Sequence, residues 1–138
     1  MSPASGFVCY PLKRMELESI VPAECGAFHD ALDRIAGRAA TAIGDDDREG
    51  EILRCLALGD SDDPDAAELL PFLERLRRRF HEVTGVPLEL IYSAGESGML
   101  DLPGMVWSLV PTMLTPAAQL LEERLGRRIQ AADYVERN

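Results

Sequence analysis

Cys25 and His29 stand four residues apart, a spacing that puts two side chains on one face of a helix. Such a pair can hold a thiolate for nucleophilic attack, with the histidine as its base. A working nucleophile also needs a third group to orient that base, and no triad-like pattern surrounds the pair. The pair therefore reads as a buried cysteine beside a surface histidine near a helix start. Asp30 follows His29, and a His-Asp step can ligate metal, but metal sites need three or four converging ligands. His81 is the only other histidine, and there is no HExxH. Cys9, Cys25 and Cys55 are widely spaced, odd in number and without CxxC, which argues against a zinc knuckle or a disulfide framework. We expect no metal, no cofactor and no enzyme activity. A reducing, cytoplasmic compartment is the simplest expectation for these thiols.

Two further segments invite a chemical reading. Ser93 to Gly98 (SAGESG) is a glycine-containing stretch after an apparent strand. A phosphate loop must open a helix so that its amides face the anion. Here a strand is expected next, no GK[ST] follows, and Glu96 would repel phosphate. Ser97 is not in a GxSxG elbow either, so the stretch reads as a plain loop. The second segment is acidic. Asp60, Asp62 and Asp65 lie close together, but no glycine occupies the sixth loop position and no glutamate the twelfth, which excludes an EF-hand.

The 138 residues carry a net charge of −10, and most of the excess is local. Residues 22–63 hold eleven acids against Arg34, Arg38, Arg48 and Arg54. The acids concentrate in Asp45, Asp46, Asp47, Glu49 and Glu51, then Asp60, Asp62 and Asp63. Glu89, Glu96 and Asp101 supply the remainder, and the other segments balance. Part of this is helix chemistry, since carboxylates before a helix complement its positive end. Eight in so short a stretch exceed that need. The field they create repels nucleic acid and anionic membrane and attracts basic partners. Just beyond, Met99, Leu100, Leu102 and Met105 make an apolar loop that serves as a lid on the core or as a binding surface. The residues expected to meet a partner are thus Asp45, Asp46, Asp47, Glu49, Glu51, Asp60, Asp62, Asp63, Glu96, Met99, Leu100 and Asp101.

The elements that must position them can be read from periodicity and punctuation. Composition is 46% hydrophobic and 28% charged, with no apolar run long enough to span a membrane and no signal-peptide pattern at the start. A single globular domain over 1–138 is expected. Residues 6–15 suit a short strand or an extended arm, which Pro11 would confine to an edge. Pro22 opens a helix carrying Phe28, Leu32, Ile35, Ala39 and Ile43, stopped by Gly44. A shorter helix from about Asp47 to Leu58 turns Ile52, Leu53 and Leu56 inward and ends at Gly59. Asp63 caps a third helix that Pro64 opens and Gly85 closes, with a kink or break expected at Pro71. Leu88, Leu90 and Tyr92 then alternate as a strand. With Met105 to Val110 they suggest a hairpin around a long connection. Thr115 and Pro116 open a last helix with Leu120, Leu121 and Leu125 as its core face. Ile129 to Val135 is either a strand beside the hairpin or an irregular tail. The fold class is α+β: about three helices, a β-hairpin or small antiparallel sheet, and a C-terminal helix.

Three resemblances follow from these residues. Arg75, Arg77, Arg78 and Arg79, the hairpin and the LTPAAQLLEERL stretch (Leu114 to Leu125) resemble the wing and following helix of winged-helix regulators, which would imply DNA binding. Pairing of Glu74 and Glu82 with Arg78, and the overall −10 charge, oppose that implication. In size, acidity and clustered carboxylates the chain is similar to small bacterial immunity proteins, which neutralise a cognate toxin by covering its often basic active site. That resemblance implies a basic protein partner, a toxin or effector, with no nucleic acid and no membrane. Secretion chaperones share the small acidic α+β profile but are normally dimeric, so gel-filtration mass separates the two. The oligomeric state is not readable from the sequence.

Overall fold

The computed structural model describes residues 6–43, 48–60, 62–93, 104–110, 115–129 and 132–135. The chain starts as a strand, β1 (Gly6–Leu12), and turns at once into a short helix, α1 (Arg14–Ile20). Glu16 reaches back to accept the Lys13 backbone N–H at 2.9 Å, which ties down one orphan donor of that helix start. Three longer helices follow: α2 (Pro22–Ile43), α3 (Arg48–Leu58) and α4 (Pro64–Thr84). Then come β2 (Leu88–Ser93), β3 (Gly104–Leu109), α5 (Pro116–Leu125) and β4 (Ala132–Val135). The class is α+β, and the three expected helices are α2, α3 and α4. The additional helix α1 was hidden because its seven residues are too few to show a helical period.

The caps explain the boundaries. Asp63 Oδ1 accepts from the backbone N–H groups of Asp65 and Ala66 at 2.9 and 3.1 Å, and Pro64 takes the first helical position of α4. Gly85 ends α4 in the left-handed conformation at φ 75°, where a Cβ would also stand 3.1 Å from the Ala117 Cβ of α5. Thr115 Oγ1 accepts from Ala118 N–H at 3.2 Å to start α5. The break expected at Pro71 does not occur, and α4 runs unbroken through it. Pro71 is exposed, as is Ala67 four residues earlier, so the carbonyl that loses its helical donor can turn to water.

The four described strands form one antiparallel sheet in the order β2-β3-β1-β4. Leu88, Leu90, Trp107, Leu109 and Leu12 are buried on its helix-facing side. Helices α2, α3 and α4 cover them, with the Phe28 ring edge-on to Trp107 at 5.6 Å. Leu17, Phe28, Ile35, Ile52, Leu69, Leu76 and Phe80 continue the same core. The segment after α5 forms β4, which joins the sheet beside β1 rather than beside the hairpin. Strand β1 is therefore not an edge strand. Pro11 is tolerated because β1 is paired on one side at a time: Gly6 to Cys9 face β4, whereas Tyr10 to Leu12 face β3. On α5, Leu121 is buried and Leu125 half-buried, but Leu120 is 65% exposed, so the core face is centred on Ala118 and Leu121 instead.

An arginine closes the junction where β1, α1 and α5 meet. Arg127 Nε and Nη2 donate to the two carboxylate oxygens of Glu16 at 2.6 and 2.8 Å, and Nη2 also reaches the Pro11 carbonyl at 3.2 Å. This fork holds the Glu16 carboxyl below its ordinary pKa range and raises that of the guanidinium.

Candidate functional site

The acid-rich region is built around α3 and the turn that leads into α4. Arg48 is the first residue of α3, the positive end of the helix, where a cation is disfavoured. It is retained by two carboxylates. Its Nη2 donates to Asp65 Oδ2 at 2.8 Å and to both oxygens of Asp63 at 2.7 and 2.8 Å, with Arg48 and Asp63 side chains each only 14% exposed. The Arg48 guanidinium is raised well above its usual range by Asp65 first and Asp63 second. Burial works against the Asp63 carboxylate, but Arg48 and the two capping amides outweigh it and hold its pKa below the ordinary value. Arg38 of α2 adds a more exposed ion pair to Glu68 at 2.8 Å. The group ties α2, α3 and α4 together.

The sequence-selected acids therefore separate into two sets. Asp63 is occupied as cap and ion-pair partner, and Glu51 pairs with Arg54 at 2.7 Å, which lowers its pKa. Glu49, Asp60 and Asp62 are exposed and make no ion pair among the described residues. Asp45, Asp46 and Asp47, directly before α3, lie outside the described residues, as do Glu96, Met99, Leu100 and Asp101 between β2 and β3.

Between the end of α3 and the first half of α4 lies a half-open hollow of about 70 Å3. Leu56, Ala66, Ala67 and Leu70 form its apolar walls, Cys55 lies at its floor and Asp60 stands on its rim. Leu58, next along the chain, is 60% exposed, and Leu70 is 39% exposed. Helix α3 ends here through Gly59 at φ 73°. The N–H of Gly59 donates to Leu56 O at 3.3 Å and that of Asp60 to Cys55 O at 2.9 Å, the two bonds of a Schellman motif. No described backbone donor reaches the carbonyls of Ala57 and Leu58. Asp60 Oδ1 accepts from the Asp62 N–H at 3.0 Å. Sequence reasoning missed this hollow. Leu58 and Leu70 fall out of phase with the apolar stripes of their helices, and that is the signal that could have exposed them.

The other candidates resolve differently. Cys25 and His29 do meet, with Sγ 3.5 Å from Nδ1, but that ring nitrogen is also 2.8 Å from the Cys25 carbonyl, which it serves as a donor. Burial, with Glu18 nearby, pushes the Cys25 thiol up to about 11, the opposite of an activated nucleophile. The arginines of α4 do not gather into one open patch. Arg77 Nε donates to the Leu88 carbonyl at 3.0 Å and Arg75 lies over the Phe72 ring at 5.4 Å. Salt bridges run from Arg77 to Glu74 and from Arg79 to Glu82 at i,i+3, rather than through Arg78 at i,i+4. Among the described residues, no group of three or more histidines, cysteines, aspartates or glutamates could hold a metal ion, and no helix is long and apolar enough to cross a membrane. No protein family, no curated protein and no solved structure matches this chain.

Proposed function

We propose that this chain is an acidic protein-binding module, an immunity protein that acts in the cytoplasm and neutralises a cognate bacterial toxin by direct contact with its basic surface. One observation carries the reading. Three of the clustered carboxylates, Glu49, Asp60 and Asp62, make no ion pair among the described residues and belong to the same helix–turn unit as an open apolar hollow and the exposed Leu58. Tight protein interfaces combine such features, an apolar anchor site for the energy and peripheral charge for steering. Asp45, Asp46 and Asp47 precede the same helix in the sequence.

The test begins with the neighbouring reading frame. A large secreted protein with a basic C-terminal domain is the expected partner. That domain, expressed alone, should arrest growth, and co-expression of this chain should restore it through a stable complex. Continued arrest despite soluble expression of both would sink the reading.

A further inference from the structure

Resting on that reading, we infer that the hollow between α3 and α4 receives a single arginine side chain of the basic partner, its stem on the apolar walls and its guanidinium against Asp60. Three independent features point to this occupant. The first is an incomplete motif. In a Schellman turn the residue two past the helix end commonly packs an apolar side chain back onto the last turn. That residue here is Asp60, and the position it would cover is Cys55, at the floor of the hollow. The hollow is thus the room of an apolar side chain that Asp60 does not supply.

The second feature is electrostatic. Asp60 stands at the negative end of α3, where a carboxylate is unfavourable, and α3 has no basic residue in its last turn. The Ala57 and Leu58 carbonyls add partial negative charge at the same place. Asp63 is used by the cap of α4 and by Arg48, whereas Asp60 accepts the Asp62 N–H and makes no ion pair among the described residues. A cation placed there interacts with the carboxylate and with the helix end together. The third feature is shape. The walls are apolar and the charge is confined to the rim, which suits a long stem with a charged tip. Arginine fits better than lysine because its guanidinium is planar, weakly hydrated and able to lie along apolar surface while it meets a carboxylate. Arginine is also enriched among the residues that dominate interface energy.

The experiment is an NMR titration of the full chain at fixed ionic strength with Nα-acetyl-arginine amide, Nα-acetyl-lysine amide and Nα-acetyl-norleucine amide. The arginine probe should give saturable shifts confined to the amides of Leu58–Asp62 and Ala66–Leu70. Half-saturation should fall on the order of 10 mM, a range accessible to one side chain. Lysine and norleucine amides should each bind at least threefold more weakly. Asp60→Asn should weaken arginine binding at least fivefold. Asp60→Leu, which completes the turn from within but removes the acceptor of the Asp62 N–H, should abolish it, with a circular-dichroism spectrum and a cooperative melt showing that the fold is kept. An unaltered affinity in Asp60→Asn would overturn the inference. So would equal binding of norleucine or lysine amide, or shifts spread over all surface carboxylates. The two proposals fail separately. Growth rescue that survives Asp60→Leu removes the arginine site alone. Absence of rescue by the parent chain, with arginine binding intact, removes the immunity reading alone.

Discussion

Asp63 is one residue with two structural duties, and a pair of substitutions can separate them. Asn keeps the capping oxygen and removes the charge, whereas Ala removes both. Asp63→Asn should cost about 1 kcal/mol and Asp63→Ala about 2–3 kcal/mol by urea unfolding. Equal costs would mean that the cap contributes nothing beyond the ion pair. The same carboxylate, with Glu16, sets the acid limit of the fold, because both are held below their ordinary pKa values. The folded state then stays ionised where the unfolded chain already binds protons. Their contribution is complete above the ordinary carboxylate pKa, about 4, and is lost as pH falls through the lower folded values. Asp63→Asn should make this acid slope shallower. Cys25 sets the opposite limit. Its thiol is raised from about 9 to about 11, so the unfolded chain loses the proton first and stability declines as pH rises through that window. Over the full window the decline should approach roughly 2–3 kcal/mol, and thermal melts at pH 8, 9 and 10 should reveal it. A flat response would mean that the Cys25 thiol is hydrated in the folded protein.

At the scale of elements, α4 continues through Pro71 although the proline removes a helical hydrogen bond. The position is exposed, so Pro71→Ala should stabilise the chain by about 1–3 kcal/mol, read from the shift in urea midpoint. No gain would indicate that the helix is already distorted there in a way that alanine does not repair. Elements with local punctuation were legible in the sequence. Asp63-Pro64 and Gly85, Thr115-Pro116 and Gly126, and the alternation of Leu88 and Leu90 each carry their own physical cause within a few residues. What was not legible depends on residues far apart in the chain. The pairing of Gly6 with Val135 leaves no local mark, and neither does the grip of Arg127 on Glu16. The candidate site divides in the same way. The acids were visible as composition, but Arg48, fifteen residues before Asp63, decides which of them are spent. The hollow exists only because the end of α3 meets the first half of α4, which brings Asp60 and Leu70 to one place.

For the whole molecule, the net charge of −10 matters more for encounter than for fold. Reversing Asp45, Asp46 and Asp47 to lysine should slow association with a basic partner at least severalfold at low salt and flatten the salt dependence of its rate. Dissociation should change less if, as inferred above, the partner's arginine is held at the hollow. Stopped-flow association rates measured from low to physiological salt test this, and an unaltered on-rate would leave those three residues as a solvated approach to α3. The way β1 joins the sheet has a mechanical consequence. Gly6 is the register partner of Val135, so the two ends of the described fold lie side by side at the same end of one ladder. Tension applied between them loads the hydrogen bonds of β1 and β4 in succession, as a zipper, rather than all at once in shear. The sheet margin should therefore open at low force, while α3 and α4, which carry the hollow, lie off that line of load.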